Sequence, residues 1–304
     1  GDETAIIAIS SVSGADASES GSQSVTITIS EDESAPTITL TRSAASIDEN
    51  SGSTITLTAT ISGVTDTAVT VALDTSGTAT EGTDYGTISD ITISAGATTG
   101  TSTLDPTDDN IYEGDETATI DIGSVSGKSG VTENGTQQVS VTIAENESAP
   151  TVTLATSATT IAENAGTSLT LTATLSVATT ADVTVALSTS GTATEGTDYT
   201  DGSGSIDDIV ISAGSTTGTV SFTPTDDSIY DATSNETATI DISGVSGGSA
   251  TEDGTQNVTI TITDDESAPT VTLSRGAAAI DEDSSSTVTI TATLSNATYQ
   301  DVTV

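Results

Sequence analysis

Short stretches of the chain alternate apolar and polar residues with a period of two. In residues 53–61, isoleucine, leucine or alanine occupies every second position from Ile55 onward, with threonine between them, and residues 258–262 repeat the alternation. Such a period is typical of a β-strand with one buried face, and threonine suits the exposed face because its branched Cβ fits a pleated surface. Clusters of glycine, serine, aspartate and asparagine separate these stretches, and no segment sustains a helical period. The pattern predicts an all-β fold.

The strand pattern is organised into long internal repeats. The segment ESAPTITL begins at Glu33, and ESAPTVTL begins at Glu147 and at Glu266, which gives spacings of 114 and 119 residues. The same landmarks recur in order within each period: IDEN or IAEN, TATEGTDY, PTDD, DETATIDI or NETATIDI, and ENGTQ or EDGTQ. A fixed period of this length marks one domain. We therefore divide the chain into the C-terminal part of a repeat (1–32), two full repeats (33–146 and 147–265) and the N-terminal part of a repeat (266–304).

Each period has room for about seven strands, which predicts immunoglobulin-like antiparallel β-sandwich domains arranged end to end. The partial repeats at the two ends lead us to expect an excerpt of a longer repetitive protein. The alternative is that neighbouring chains complete them by strand addition. The terminal pieces together lack the segment equivalent to residues 72–113, so such complementation would be incomplete.

The charge of the chain restricts its partners. There are 45 Asp and Glu residues against three cationic ones, Arg42, Lys128 and Arg275, which gives a net charge of -42. Phosphate binding needs Lys and Arg, so nucleic acid is excluded as a partner and an anionic membrane surface is disfavoured. No apolar run reaches the roughly 18 residues of a bilayer span. Self-repulsion opposes compaction, and without Cys no disulfide can offset it, so divalent metal ions or high salt are the expected compensation.

The acidic residues gather at turns between the predicted strands. In residues 33–146 the runs are Asp48-Glu49, Glu81 with Asp84, Asp108-Asp109, Glu113 with Asp115-Glu116, and Glu145-Asn146-Glu147. Crowded carboxylates raise one another's pKa and destabilise a fold unless a cation neutralises them. Calcium accepts about six to eight oxygen ligands in flexible geometry, whereas magnesium retains more water and is the second choice. Zinc, copper and iron are poor candidates because the chain has no His or Cys.

The spacing of these residues resembles the Calx-β domain family, whose signature is an Asp-Tyr pair, a strand, then Asp-Asp with an aliphatic-aromatic pair, Glu and Asp-Glu. In the first repeat it reads Asp84-Tyr85, followed by Asp108-Asp109-Asn110-Ile111-Tyr112-Glu113-Gly114-Asp115-Glu116. The match extends over both full repeats and both partial ones. The resemblance implies a β-sandwich with calcium at one tip, near the junction with the next domain.

The resemblance also implies a set of calcium ligands in each repeat. In the first repeat these are Glu49, Asp84, Asp108, Asp109, the Ile111 carbonyl, Glu113, Glu116, Glu145, Asn146 and Glu147. In the second they are Glu163, Asp198, Asp226, Asp227, the Ile229 carbonyl, Asp231, Glu236, Asp264, Asp265 and Glu266. In the partial repeats, fractions of a site are expected from Glu3, Glu31, Asp32, Glu33 and Glu282.

The second repeat departs from the family signature. Asp231 replaces Glu, Ala232 and Thr233 lengthen the loop before Glu236, and residues 200–204 belong to a longer segment after the Asp-Tyr pair. We expect one ion of this repeat to bind more weakly than its equivalent in the first repeat.

The predicted function is a calcium-stabilised structural spacer or filament shaft of an extracellular or cell-surface adhesive or matrix protein, and not an enzyme. Pro36, Pro150 and Pro269 support stiffness because they fix the backbone just past each junction. Without His or Cys, the usual nucleophile and base pairs are missing. A carboxylate pair could hydrolyse glycosides, but the carboxylates recur in every repeat and aromatic residues that would bind sugar are scarce.

Other interpretations of the same residues stay open. The acidic runs can serve only to cap turns and keep the chain soluble. Outward threonines such as Thr54, Thr56, Thr58 and Thr60 can form a flat surface that binds ice, glycan or mineral; threonine confined to one sheet would favour this function. Lys128 is expected to be an exposed loop residue. The N-glycosylation pattern occurs at Asn134, Asn146, Asn235, Asn257 and Asn296.

Overall fold

A computed structural model describes residues 2–30, 32, 34–231 and 235–304, and all regular structure in this part of the chain is β-strand. The strands are β1 (Glu3–Ala8), β2 (Ser24–Ile29), β3 (Thr37–Arg42), β4 (Ser46–Asp48), β5 (Ile55–Ile61), β6 (Val69–Gly77), β7 (Ile91–Ile93), β8 (Thr99–Leu104), β9 (Ile111–Tyr112), β10 (Glu116–Ser126), β11 (Thr132–Glu133), β12 (Gln138–Ala144), β13 (Thr151–Thr156), β14 (Thr160–Ala162), β15 (Leu169–Leu175), β16 (Ala178–Thr179), β17 (Val183–Gly191), β18 (Tyr199–Thr200), β19 (Ile209–Ile211), β20 (Thr217–Pro224), β21 (Ile229–Tyr230), β22 (Asn235–Ser246), β23 (Thr251–Glu252), β24 (Asn257–Thr263), β25 (Val271–Arg275), β26 (Ile290–Leu294) and β27 (Ala297–Thr298). The predicted all-β class is confirmed. The described residues contain no helix of the length and apolarity that crossing a membrane requires.

The first full repeat is a sandwich of two sheets. One sheet has the strand order β4-β12-β10-β6-β7, and the other has the order β11-β3-β5-β8. The long strands pair antiparallel, whereas the short edge strand β11 pairs with β3 in parallel. Strand β5 follows the predicted alternation: Ile55, Leu57, Ala59 and Ile61 are buried, and the threonines between them are half-buried. Period two in the sequence therefore becomes an apolar face turned to the core between the sheets.

The second full repeat has the same architecture, with sheets ordered β14-β24-β22-β17-β19 and β18-β20-β15-β13-β23. Its core is built from aliphatic side chains together with Tyr199 and Phe222, whose rings stack with centroids 4.7 Å apart and planes inclined by 20°. Tyr199 is the aromatic member of the Asp-Tyr pair. Because its ring is buried in the core, the Asp beside it is held at the end of the sandwich.

Two glycines lead from a long strand into the TATEGTDY segment. Gly77 ends β6 with φ +123°, and Gly191 ends β17 with φ +122°. A Cβ on Gly77 would lie 2.0 Å from the Thr117 carbonyl oxygen, and a Cβ on Gly191 would lie 2.1 Å from the Thr237 carbonyl oxygen. Only glycine permits both this backbone conformation and this close approach. These residues therefore fix where the loop with the Asp-Tyr pair leaves the sheet.

The partial repeats form two-stranded antiparallel ribbons, β1 with β2 and β25 with β26. Apolar side chains on them are exposed, including Ile6, Val25, Leu273 and Ile290. Their sequences alternate as in the full repeats, but in the described residues no second sheet covers the apolar face.

Contacts between residues divide the chain into two compact units. The first comprises Gly1–Ile47, Ser51–Thr107 and Thr117–Ile143; the second comprises Asp48–Asn50, Asp108–Glu116 and Ala144–Val304. The second unit thus contains the second repeat, three of the acidic segments of the first repeat and the first part of the third repeat; the segment with Glu81 and Asp84 belongs to the first unit.

Within the second unit, two-residue strands connect the acidic loops to the repeat that follows. Strand β9 pairs in parallel with β16, with Ile111 opposite Ala178, and β21 pairs in parallel with β27, with Ile229 opposite Ala297. We call each of these a junction pair. Both use the Ile-Tyr dipeptide of the family signature and an Ala-Thr dipeptide just after the second long strand of the next repeat, β15 or β26.

Candidate metal centre

Two loop segments at one end of the second repeat bring predicted ligands together. The Glu163 N–H, just after β14, donates to the Thr263 carbonyl at the end of β24 over 3.1 Å. Asp264 and Glu266 follow β24 directly. One carboxylate oxygen from each of Glu163, Asp264 and Glu266 lies within 4.8 Å of the others. The pairing of two strands thus places Glu163 beside two acidic residues that lie about a hundred positions later in the sequence.

Glu163 belongs to a second group as well. Its carboxylate lies with those of Asp226 and Asp265, again with one oxygen of each within 4.8 Å of the others. Asp265 also accepts a hydrogen bond from the Asn164 side-chain amide. Two groups of three carboxylates that share one member are an arrangement suited to neighbouring divalent cations.

Some oxygen atoms of this centre have no hydrogen-bond donor. Glu163 Oε1 and Glu266 Oε2 are shielded from solvent and lack a partner. A buried carboxylate oxygen without a donor costs free energy, because its hydration is lost and nothing replaces it. A divalent cation supplies the missing positive partner, so the donor set fits calcium.

A small cavity of about 20 Å³ lies next to these groups. A volume of at least about 10–15 Å³ is enough for one water-sized species. The cavity is lined by Glu163, Asp198, Thr225, Asp227, Ile229, Asp231, Asn235, Glu236, Ile262, Asp264 and Tyr299. Most of the residues that line the cavity are predicted ligands.

Crowding changes the acidity of this centre. The pKa of Glu163 is raised to about 8, chiefly by burial, and further by its contact with Glu266 and the nearby charge of Asp264. The pKa of Glu236 is raised to about 7 by burial and by the charge of Asp198. A bound cation favours the ionised carboxylates and would reverse both effects.

Asp198 is fixed by the turn that contains it. Its carboxylate accepts the N–H of Thr194 at 2.6 Å, and its backbone carbonyl accepts the N–H of Thr225 at 2.9 Å. Asp231 is placed by its own N–H, which donates to the Asp264 carboxylate at 2.9 Å. Backbone donors thus orient the carboxylates that face the cavity.

Asp227 connects the centre to the third repeat. Its Oδ1 accepts the N–H of Ile229 at 2.6 Å, and its Oδ2 accepts the phenol of Tyr299 at 2.7 Å. This acceptor, together with burial and the charge of Asp227, raises the pKa of Tyr299 to about 12. A residue of the next repeat therefore takes part in the centre of the second repeat.

The first repeat has an equivalent group formed by Glu49, Glu145 and Glu147, again with one oxygen of each within 4.8 Å of the others. Glu49 is buried, and its Oε1 accepts the N–H of Asp109 at 3.1 Å. Glu145 Oε2 accepts the N–H groups of Glu113 at 2.6 Å and Gly114 at 2.8 Å. The loop that carries Asp109 and Glu113 is therefore tied to the other two segments of the group.

Burial, hydrogen bonds and nearby charge also shift the pKa values of this group. Burial raises the pKa of Glu49. The pKa of Glu147 is raised to about 7 by its contact with Glu145, by burial and by nearby charge, and its Oε2 is a buried oxygen without a donor. Burial alone would raise the pKa of Glu145, but the N–H groups of Glu147, Glu113 and Gly114 lower it. The surroundings thus favour the ionised form of Glu145 and the protonated forms of Glu49 and Glu147.

The remaining predicted ligands of the first repeat are placed as follows. Asp84 is buried in the first unit, and its carboxylate accepts the N–H of Thr80 at 2.6 Å. Glu113 and Glu116 belong to the second unit, where they occupy the positions of Asp231 and Glu236 in the second repeat. Asp108 is exposed and receives the Asn146 amide at 3.5 Å.

The predicted ligands of the partial repeats are not brought together as those of the full repeats are. Glu3, Asp32 and Glu282 are exposed, and none of them belongs to a group of three close carboxylates within the described residues. Glu31 and Glu33 lie outside the described residues, as do Ala232 and Thr233 of the lengthened loop.

The sequence did not single out every residue that lines the second repeat's cavity. Thr225 and Asn235 adjoin predicted ligands, so their proximity was available from the motif. Tyr299 was not predictable, because the equivalent positions of the other repeats hold Asp66 and Thr180. Lys128 was expected to be a simple exposed residue; its ammonium forms an ion pair with Asp66 at 2.7 Å.

The geometry agrees with a comparison of the sequence with known families. The Calx-beta domain matches residues 31–147 and again residues 145–266, which together are more than half of the chain. The chain belongs to the Calx-beta family. It contains two Calx-beta domains in tandem, and their shared boundary contains Glu145 and Glu147. No curated protein matches the chain.

Similar solved structures include domains of CALX1.2 and Calx and a Yersinia adhesin. CBD12 from CALX1.2 is 16% identical, with 74% of this chain and 99% of that chain covered and a TM-score of 0.31. The CBD1 domain of Calx in its apo form is 22% identical, with 36% and 98% covered and a TM-score of 0.30. The Yersinia pseudotuberculosis adhesin InvE is 17% identical, with 74% and 58% covered and a TM-score of 0.33.

Proposed function

We propose that this Calx-beta protein is a calcium-stabilised spacer or filament shaft of an extracellular adhesive or matrix protein. Its role in this proposal is mechanical: successive sandwiches are held in a fixed relation by ions bound at their junctions. The chain acts as a structural element and not as an enzyme.

The observation that carries the proposal is the crowding of Glu163 with two sets of carboxylates, combined with buried oxygen atoms that have no donor. This arrangement destabilises the fold of the metal-free chain, since the carboxylates repel each other. If the acidic residues served only to charge the surface, none of them would need to be buried at the end of a sandwich. The alternative in which the acids only cap turns therefore leaves the buried oxygen atoms unexplained.

When calcium is bound, it neutralises the carboxylates and supplies the positive partner that their oxygen atoms lack. In the second repeat, Glu163, Asp264 and Glu266 would hold one ion, and Glu163, Asp226 and Asp265 would hold a second. In the first repeat, Glu49, Glu145 and Glu147 would hold an ion. The chain's own backbone N–H groups orient these acids.

The junction pairs support a mechanical role for the centre. Ile229 and Tyr230 lie between the predicted ligands Asp227 and Asp231, and they also pair with the third repeat. Ordering the loop around an ion therefore orders the strand that the next repeat contacts. The prolines after each junction, Pro150 and Pro269 among them, reduce the freedom of the linker.

The distribution of threonine gives less support to the surface-binding alternative. Thr39, Thr60 and Thr99 lie side by side across one sheet of the first repeat. On the β22-β24 side of the second repeat, Thr239 and Thr259 are also cross-strand neighbours and share a hydrogen bond of 3.1 Å. Threonine thus occupies both sheets, as expected of a strand-forming residue on exposed faces.

The experiment is a thermal melt of the 304-residue chain with excess calcium, with magnesium and with chelator. Calcium at about 100 times its dissociation constant stabilises by about 2.7 kcal/mol per site, which is roughly 10 °C for a domain of about 100 residues. Equal midpoints in calcium and chelator would defeat the proposal. Scattering with and without chelator then tests whether the ions set the length of the particle.

A further inference from the structure

Each junction pair has a receiving edge, the dipeptide that accepts the Ile-Tyr strand of the preceding repeat. In the second repeat this edge is Ala178–Thr179, and in the third it is Ala297–Thr298. The same interaction thus occurs twice in one chain, at equivalent positions of the repeat. It is a regular property of how these sandwiches meet.

The equivalent edge of the first repeat is Val64–Thr65, and no strand of the described residues pairs with it. Val64 is 64% exposed. The backbone there is already shaped for pairing: the Thr65 hydroxyl donates to the Thr67 carbonyl at 2.7 Å. In the occupied edges, Thr179 and Thr298 make the same bond two residues ahead, at 2.7 and 2.6 Å.

A groove of about 860 Å³ opens beside this edge. Its walls combine apolar and small residues with one ion pair: Ser34, Ala35, Pro36, Gly63, Val64, Thr65, Asp66, Lys128, Ser129 and Gly130. Of the three cationic residues in the chain, Lys128 is the one that lines this groove. It accompanies Asp66, which stands where the third repeat has Tyr299.

The occupied junction shows what this position contacts. Tyr299 donates to Asp227, the second Asp of the acidic loop in the preceding repeat. In the first repeat, Asp66 at that position would repel an incoming aspartate. Lys128 offsets the repulsion, because its ammonium lies 2.7 Å from the Asp66 carboxylate. Lys128 therefore removes the net negative charge that Asp66 alone would present to an arriving acidic loop.

We propose that the groove at Val64–Thr65 is the docking site for the acidic Ile-Tyr loop of a further copy of this repeat, with Lys128 as the residue that recognises the loop's aspartate. The loop's Ile-Tyr backbone pairs with residues 64–65, as it does at the two junctions within the chain. The inference rests on the proposed function only in that the docked repeat would extend the same array.

The test uses the full chain with a further copy of residues 147–265 inserted between residues 32 and 33. The insertion preserves the native DESAP or EDESAP sequence at each boundary and leaves the rest of the chain unchanged. Since the chain has no Cys, Val64→Cys introduces a single reactive thiol at the edge, and Leu273→Cys, at a side chain 67% exposed, provides a matched control. Maleimide labelling is followed in both chains with excess calcium.

Docking is expected to slow labelling of Val64→Cys in the extended chain by roughly tenfold or more, because a protected site reacts only when it opens. The control should label equally fast in both chains. Replacing Ile229 and Tyr230 by glycine in the inserted copy alone should restore the fast rate, which simple proximity of the extra repeat would not. Equal rates for Val64→Cys with and without the inserted copy would overturn the proposal.

The role of Lys128 is tested by Lys128→Gln in the extended chain, with Arg42→Gln as a control of equal charge change. Only Lys128→Gln should return the labelling rate toward that of the parent chain; no change would overturn its role in recognition. The melt in calcium separates the two proposals. Protection of Val64→Cys without any effect of calcium on melting contradicts the proposed function alone, and the reverse result contradicts docking alone.

Discussion

The phenol of Tyr299 donates a hydrogen bond of 2.7 Å to the carboxylate of Asp227. The two residues belong to successive repeats, and Asp227 lies in the acidic loop that also provides Ile229 and Tyr230 to the junction pair. One side chain of the third repeat thus contacts the candidate metal centre of the second.

The first prediction concerns Tyr299 itself. Its pKa of about 12 is caused first by Asp227, so in chelator Asp227→Asn should bring the value down toward the ordinary 10.0. The measurement is an NMR titration of the Tyr299 ring in the full chain. Asp253→Asn, at an exposed acid away from the centre, should leave the titration unchanged. A value near 12 in Asp227→Asn would show that Asp227 is not the cause.

The second prediction concerns the number of bound ions. Glu163 belongs to both carboxylate groups of the second repeat, whereas Asp265 belongs to one. Glu163→Gln should therefore abolish two calcium sites, and Asp265→Asn should abolish one. Calorimetric titration of the full chain gives the stoichiometry, with Asp253→Asn as the control. An equal loss in the two variants would contradict a shared ligand.

The third prediction concerns pH in the absence of metal. The pKa of Glu163 rises from 4.5 to about 8 on folding. A raised folded pKa means that the native state holds the proton more tightly, so this contribution to stability is complete below pH 4.5 and is lost as the pH rises through 8. Melting midpoints in chelator should therefore fall across that range.

The matched variant for the pH experiment is Glu163→Gln, which cannot ionise at this position. Its midpoints should depend less steeply on pH between 4.5 and 8 than those of the parent chain. Calcium should flatten the dependence in the parent, since it stabilises the ionised carboxylate. Parent midpoints in chelator that stay level or increase with pH would contradict the assigned environment of Glu163.

The fourth prediction concerns the core of the second repeat. Phe222 is fully buried and stacks on Tyr199. Phe222→Ala should destabilise this repeat by about 3–5 kcal/mol, because it removes a large buried side chain and leaves a cavity. Phe222→Leu should cost less than Phe222→Ala, because leucine leaves a smaller cavity and the first repeat has Leu104 at the equivalent position, paired with Ile55 as Phe222 is with Leu169. Denaturant unfolding measures both variants.

Particular residues show how far sequence reasoning reached. The alternation in residues 55–61 predicted the buried face of β5, and the structure buries Ile55, Leu57, Ala59 and Ile61. The motif also identified acids that the fold brings together, such as Glu163 and Asp264. Their grouping follows from strand pairing: β14 and β24 end side by side, so acids just past each end must meet.

Other features could not be predicted from residue types. The first repeat has Asp66, and the second has Thr180, where Tyr299 contacts Asp227. Because the three repeats share no residue at this position, the sequence does not predict a contact there. A contact between repeats also depends on how two folded surfaces meet. The two-residue strands of the junction pairs are likewise too short for any periodicity to be detected.

The amino-acid sequence by itself determined the all-β fold, the repeated sandwich and the acidic runs, because period two, a fixed repeat length and residue charge are local properties of the chain. The tertiary structure alone decided that Glu163 joins two carboxylate groups, that three buried oxygen atoms among the described residues lack donors, and that Tyr299 reaches Asp227. These relations depend on distances between residues far apart in sequence, which only the packing of strands and loops establishes.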